Sequence, residues 1–352
     1  MNTINKLKVL IVNLAVISPF LNQTFDVGYN INIYLILSIL STLILPFTKT
    51  FKTIINSKDL ILILLFEIFF IIFTLNQEFY IFGCYQFLIL SSIFLLFSKP
   101  KSFQKSKFVN ISNIYIIFVI LTLFIIESNG IRLNILMSSR EATAGSVLGL
   151  ALIFNYGGLI LFIKSRIIKS NYYLLASLFT CIMSFVFFKT KGPIVAYLIS
   201  VVFFNGISFI KILISSILGT SLITLSSNTF FRANSDLSTL NRINTYLKTL
   251  ELLSNSFFSF NIYEKAPYLF HNWIFESFWR LGFLNFVYLA LIIITFISYK
   301  NNYYYKSTSI YILICGLFSF PLEPVIFSYT LLTLLSIYES KINNKLIRMD
   351  NN

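Results

Sequence analysis

Long apolar runs, separated by short polar intervals, recur along almost the whole chain. Most runs are about 16–23 residues, enough to approach or cross a hydrocarbon layer roughly 30 Å thick. The runs are continuous rather than alternating with period two, which argues for helices and against the strands of a membrane barrel. They predict twelve spans, at roughly 7–21, 31–46, 59–75, 79–98, 109–126, 142–163, 172–188, 192–207, 208–225, 282–298, 308–320 and 324–338. No small-residue cleavage site follows the first run, so it reads as a membrane helix and not as a leader.

Composition agrees with the pattern. The chain is 57% hydrophobic and 11% charged, with a mean hydropathy of +0.82, whereas a soluble domain carries about 25% charged residues. The expectation is an all-α, polytopic membrane protein forming one integral domain over residues 1–352. Cys84, Cys181 and Cys315 all lie inside apolar runs, so they suggest neither a disulfide framework nor a metal site. A net charge of +14 raises nucleic acid as a partner. In a membrane protein, the position of the charges has to be settled first.

With the N-terminus placed in the cytoplasm, 18 of the 27 Lys and Arg residues fall on the inner side and nine on the outer side, as orientation by positive charge requires. The C-terminus is then cytoplasmic too. Residue type adds to this. The inner set is almost all lysine, whereas the outer set holds Arg132, Arg140, Arg232, Arg242 and Arg280 among the seven arginines of the chain. Lysine is enough to orient a helix. Arginine presents a planar fork of donors that matches phosphate oxygens and stays charged. The outer face is therefore read as binding a phosphate-bearing ligand, with chance in a Lys-rich chain as the plain alternative. The one long loop, 226–281, is also on the outer side. Its middle reads as an amphipathic helix with Leu240, Ile243, Leu247 and Leu250 on one face and Leu253 at its margin, lying along the membrane surface.

The loop ends in PYLFHNWIFESFWRLG, residues 267–282, which holds the chain's one histidine, His271, and both tryptophans, Trp273 and Trp279. An imidazole titrates near neutral pH and suits proton transfer. On a helix, Asn272, Glu276 and Arg280 stack at intervals of four. The last two then form either a structural i,i+4 ion pair or part of a site. The indoles read first as an interfacial aromatic belt and second as platforms for sugar rings. Glu67, in ILLFEIFF, is the clearest acid inside an apolar run; it is either the partner of a polar group on a neighbouring helix or part of an ion path.

The stretch YLFHNWIFESFWRLG at 268–282 resembles the signature His-Asn, three residues, Glu, then Gly that closes the large periplasmic loop of O-antigen polymerases of the Wzy type and of the related O-antigen ligases. NRINTY at 241–246 resembles the Arg-led helix of that loop. FKTKGPIVAY at 188–197 resembles the family's short basic turn, with Lys191 where arginine is common. Relatives often carry glycines before the histidine; SFFSFNIYEKAP at 256–267 has none.

The resemblance implies a GT-C-like membrane glycosyltransferase of the bacterial inner membrane. It would move an undecaprenyl-diphosphate-linked oligosaccharide onto a second lipid-linked repeat, in O-antigen or capsule assembly. A flippase and a chain-length regulator would be its partners, and nucleic acid would not. His271 would take the acceptor proton and Glu276 would orient the imidazole. Arg140, Lys191, Arg232, Arg242, Asn272 and Arg280 would hold diphosphate and sugar. No Asp-x-Asp motif or His cluster suggests a metal, and no cofactor is expected. The competing readings are a ligase acting on lipid A-core, an enzyme using Asp26 in the first outer loop, and a transporter or flippase. A transporter would be expected to show internal repeats, and the chain shows none.

Overall fold

The computed structural model describes residues 3–24, 33–44, 46, 49–51, 57–75, 79–99, 143–188, 191–204, 244, 247–252, 254, 258, 260–261, 272–318 and 322–349. Apart from one short antiparallel strand pair, the secondary structure among them is helical: α1 (Thr3–Thr24), α2 (Ile33–Ile44), α3 (Ser57–Thr74), α4 (Phe79–Phe97), α5 (Thr143–Ile168), α6 (Asn171–Phe188), α7 (Lys191–Val202), α8 (Trp273–Leu281), a 3-10 turn (Gly282–Leu284), α9 (Asn285–Ser298), α10 (Tyr303–Phe318) and α11 (Leu322–Met349). The strands are β1 (Lys49–Phe51) and β2 (Ser98–Lys99). The expected spans at 109–126 and 208–225 lie outside the described residues; each of the others falls on a helix. Among the described residues, two segments, Ala151–Ile168 and Trp273–Ser298, are long and apolar enough to cross a membrane.

The bundle is built around α11. Residues 325–338 are buried without interruption, and α1, α3, α4 and α10 pack around them. A helix apolar on every side belongs in the middle of a bundle. The peripheral helices divide into two faces. In α3, Phe66, Phe70 and Phe73 point inward, while Leu60, Ile61, Leu64, Leu65, Ile68 and Ile71 are exposed. In α9, Tyr288, Leu291 and Ile292 are buried, while Phe286, Val287, Ile293, Ile294 and Ile297 face out. α2 does the same, whereas α6 exposes Leu175, Leu178, Phe179 and Ile182 and buries Ser177, Thr180 and Ser184. Large apolar side chains exposed in helix-long stripes are rare on soluble monomers.

Many hydroxyls inside the bundle are satisfied locally or across helices. Ser18, Ser91, Thr295, Thr330, Thr333 and Ser336 donate to carbonyls three or four residues back, which lets polar side chains sit in an apolar interior. Tyrosines link the helices. Tyr304 of α10 donates to Asn13 of α1 and bonds Tyr156 of α5 (2.7 Å); Tyr305 of α10 meets Tyr329 of α11 (2.7 Å); Tyr311 donates to the Leu152 carbonyl (2.6 Å).

The helix ends sort into two groups. At one end, β1 pairs with β2, joining the chain after α2 to the chain after α4. The Tyr299 hydroxyl reaches Asp59 at the same end (3.4 Å), and Phe204 stacks on Tyr303. Every one of these segments is expected on the cytoplasmic side. At the other end, α8 meets the end of α3, the end of α10 and the start of α11, all expected on the outer side.

Candidate functional site

α8 is the element on which the sequence signature falls, and it is held on one face. Asn272 stands just outside the helix as its N-cap, with extended backbone; its side-chain oxygen accepts from the amides of Ile274 (2.9 Å) and Phe275 (3.4 Å). This satisfies two of the amides that a helix start leaves unpaired. The stack of polar residues at intervals of four therefore does not begin at Asn272. Instead Trp273, Glu276 and Arg280, at spacings of three and four, share one buried face.

Each of the three ties α8 to a different helix. The Trp273 indole lies over Gly316 of α10, and its Nε1 donates to the Leu313 carbonyl (3.0 Å). A Cβ at Gly316 would lie 2.5 Å from both Trp273 Cδ1 and Val325 Cγ2, so glycine is required for the approach. Glu276 Oε2 accepts from the backbone amide of Leu322, the first residue of α11 (2.9 Å). Arg280 Nη1 donates to the Phe73 carbonyl near the end of α3 (3.0 Å). Glu276 Oε1 and Arg280 Nη2 are paired at 3.0 Å. Orphan groups at the ends of α3 and α11 are thus satisfied by a buried charge pair, while each charge neutralises the other. Trp273 and Trp279 are 4% and 3% exposed. This corrects the expectation of an aromatic belt, because both rings pack within protein.

At its far end α8 stops at Gly282, whose φ of 53° and ψ of −133° suit a residue without a side chain. The last carbonyls are capped from the long loop: Asn261 donates its backbone amide to the Arg280 oxygen (3.2 Å) and its side-chain amide to the Trp279 oxygen (3.0 Å). Elsewhere in the loop, Asn244, residues 247–252 and Ser254 are helical; Leu247 and Leu250 are exposed while Thr249 is buried. The Leu240, Ile243 and Leu253 positions of the expected apolar face lie outside the described residues.

Among the expected site residues, Glu276 and Arg280 pair on α8 and Asn272 caps its start. Lys191 opens α7. His271, Arg140, Arg232, Arg242 and Asp26 lie outside the described residues. What the sequence reading missed is the role of Trp273 as the third member of the anchoring face, and of Gly316 as its seat. The spacing 273, 276, 280 was a readable signal; the glycine in ICGLF was not, because its partner is far away in sequence. No protein-family model, no curated protein and no solved structure matches this chain.

Proposed function

We propose that this chain is a multi-pass membrane glycosyltransferase. It extends a polysaccharide by moving a glycan from undecaprenyl diphosphate onto a second lipid-linked repeat at the outer face of the inner membrane, with both termini cytoplasmic. The observation that carries this reading is the seating of α8. The helix that follows His271 in the chain is fixed by three side chains at the end of the bundle expected to face outward. A base that must meet an acceptor hydroxyl needs such a rigid support. The outward apolar stripes of α2, α3, α6 and α9 support the membrane setting, and the sorting of helix ends supports the alternating topology.

In the reaction, the acceptor hydroxyl attacks the anomeric carbon of the donor glycan. The bond from that carbon to the diphosphate oxygen breaks, a glycosidic bond forms, and the His271 imidazole takes the hydroxyl proton. Arg140, Arg232, Arg242 and Lys191 neutralise the charge developing on the lipid diphosphate. Both oxygens of Glu276 are engaged within the protein, as are both terminal nitrogens of Arg280. We therefore assign these two, with Asn272, to positioning α8 and not to contact with substrate.

The test is a glycan ladder from a strain lacking this gene. Loss of the ladder to single repeats, restored by the wild-type chain, supports the polymerase. A ladder that persists on the lipid carrier without reaching lipid A-core points to the ligase. Repeats trapped on the cytoplasmic side point to a flippase and overturn the proposal.

A further inference from the structure

The long loop touches the bundle at Asn261, where it caps the end of α8. Just before that contact, Phe258 and Phe260 meet Phe283 of the 3-10 turn, with ring centroids 6.4 and 5.9 Å apart. These rings are not an internal cluster. Phe258 is 80% exposed, and Phe260, Phe283, Leu284, Phe286 and Val287 are exposed beside it. The patch runs without a polar break into the outward stripe of α9, through Ile293, Ile294 and Ile297.

We propose that Phe258 and Phe260 form an aromatic wedge that enters the outer leaflet and anchors the long loop to the membrane lipid. The occupant is assigned by continuity. The two rings lengthen the stripe that α9 already turns outward, at the level where α8 ends and the apolar helix begins. Phenylalanine has no polar group to keep in water, so its ring gains by leaving water for the acyl boundary. Non-helical backbone at such depth needs its polar groups paired, and the Asn261 amide is paired with the Arg280 carbonyl. The loop is then held at two places, by Asn261 on protein and by the wedge in lipid. The inference rests on the membrane setting proposed above but not on the polymerase chemistry.

The experiment uses the full-length chain in liposomes, with Cys84, Cys181 and Cys315 replaced by alanine. A bimane label is placed at Phe258→Cys or Phe260→Cys, at Ile293→Cys as the lipid control, and at Asn301→Cys as the aqueous control. Quenching is compared between lipids brominated high on the acyl chain and iodide in the buffer. The proposal expects loss of emission at 258 and 260 with bromolipid, as at 293, and little loss with iodide. Iodide quenching at 258 and 260 with bromolipid quenching retained at 293 overturns the wedge alone. Shielding of 258 and 260 from both quenchers also overturns it and assigns the patch to a protein partner. Absence of bromolipid quenching at 293 as well overturns the membrane setting itself.

Discussion

At the scale of single residues, the buried Glu276–Arg280 pair is the most consequential group in the described site. On an exposed helix such a pair is worth only a few tenths of a kcal/mol. Here both side chains are buried and each also bonds a backbone group of another helix. Removing one partner leaves a buried charge, so Glu276→Ala or Arg280→Ala is expected to cost about 3–5 kcal/mol. The double replacement Glu276→Leu with Arg280→Met is expected to cost less than either single change, because no charge is stranded. Thermal unfolding of the purified variants in detergent checks both statements. Equal losses in singles and double would contradict the pairing. Gly316→Ala is expected to destabilise by about 1–3 kcal/mol through overpacking against Trp273 and to alter tryptophan emission. Trp273→Phe in the same chain should recover part of that loss, since the smaller ring leaves room for the new methyl. Additive losses would mean that the two positions do not meet.

At the scale of elements, the apolar runs located the helices well, because a span's length and composition are local properties of the chain. The ends were less legible. The reading begins the tenth span at residue 282, whereas helix starts at Trp273. The i,i+4 pairing of Glu276 with Arg280 was legible in the sequence; their backbone partners at Phe73 and Leu322 were not, because those lie on helices far away in the chain. The last helix runs on to Met349, past the end of its apolar stretch at 338, because helix formation does not require every turn to be apolar. Asn272 was read as part of a helical stack and is instead the cap, a distinction set by one residue of extended backbone. The function of α8 as a rigid support predicts that Asn272→Ala weakens the start of the helix by about 0.5–2 kcal/mol. Asn272→Asp keeps an accepting oxygen and should retain more stability. Amide hydrogen exchange over 273–276 measures it, and unchanged protection in the alanine variant would argue against the cap.

At the scale of the whole molecule, the alternation of helix ends is the testable feature. The strand pair 49–51 with 98–99, the Tyr299–Asp59 contact and the Phe204–Tyr303 stack lie at one end; the contacts of α8 lie at the other. In a cysteine-free chain, Asn301→Cys is expected to react with an impermeant maleimide only after the membrane is opened, and Ser254→Cys in intact spheroplasts. Reaction of both from the same side would contradict the topology. The all-helical class was legible because the spacing and length of apolar runs are local properties of the chain. The site was legible only in part. Its motif lies within a few residues, but the groups that anchor it come from α3, α10 and α11, which only folding brings together.

The most direct measurement of the central claim uses purified chain in proteoliposomes supplied with an undecaprenyl-diphosphate-linked repeat, with products read by mass. Species of two and more repeats are expected, with release of undecaprenyl diphosphate. His271→Ala, at equal amounts and with unchanged thermal stability, is expected to slow their formation about 10²–10⁴-fold, the usual contribution of a positioned acid–base group. Elongation by His271→Ala at the wild-type rate would contradict the role given to the imidazole. No elongation by a wild-type chain that is folded and inserted would contradict the polymerase itself.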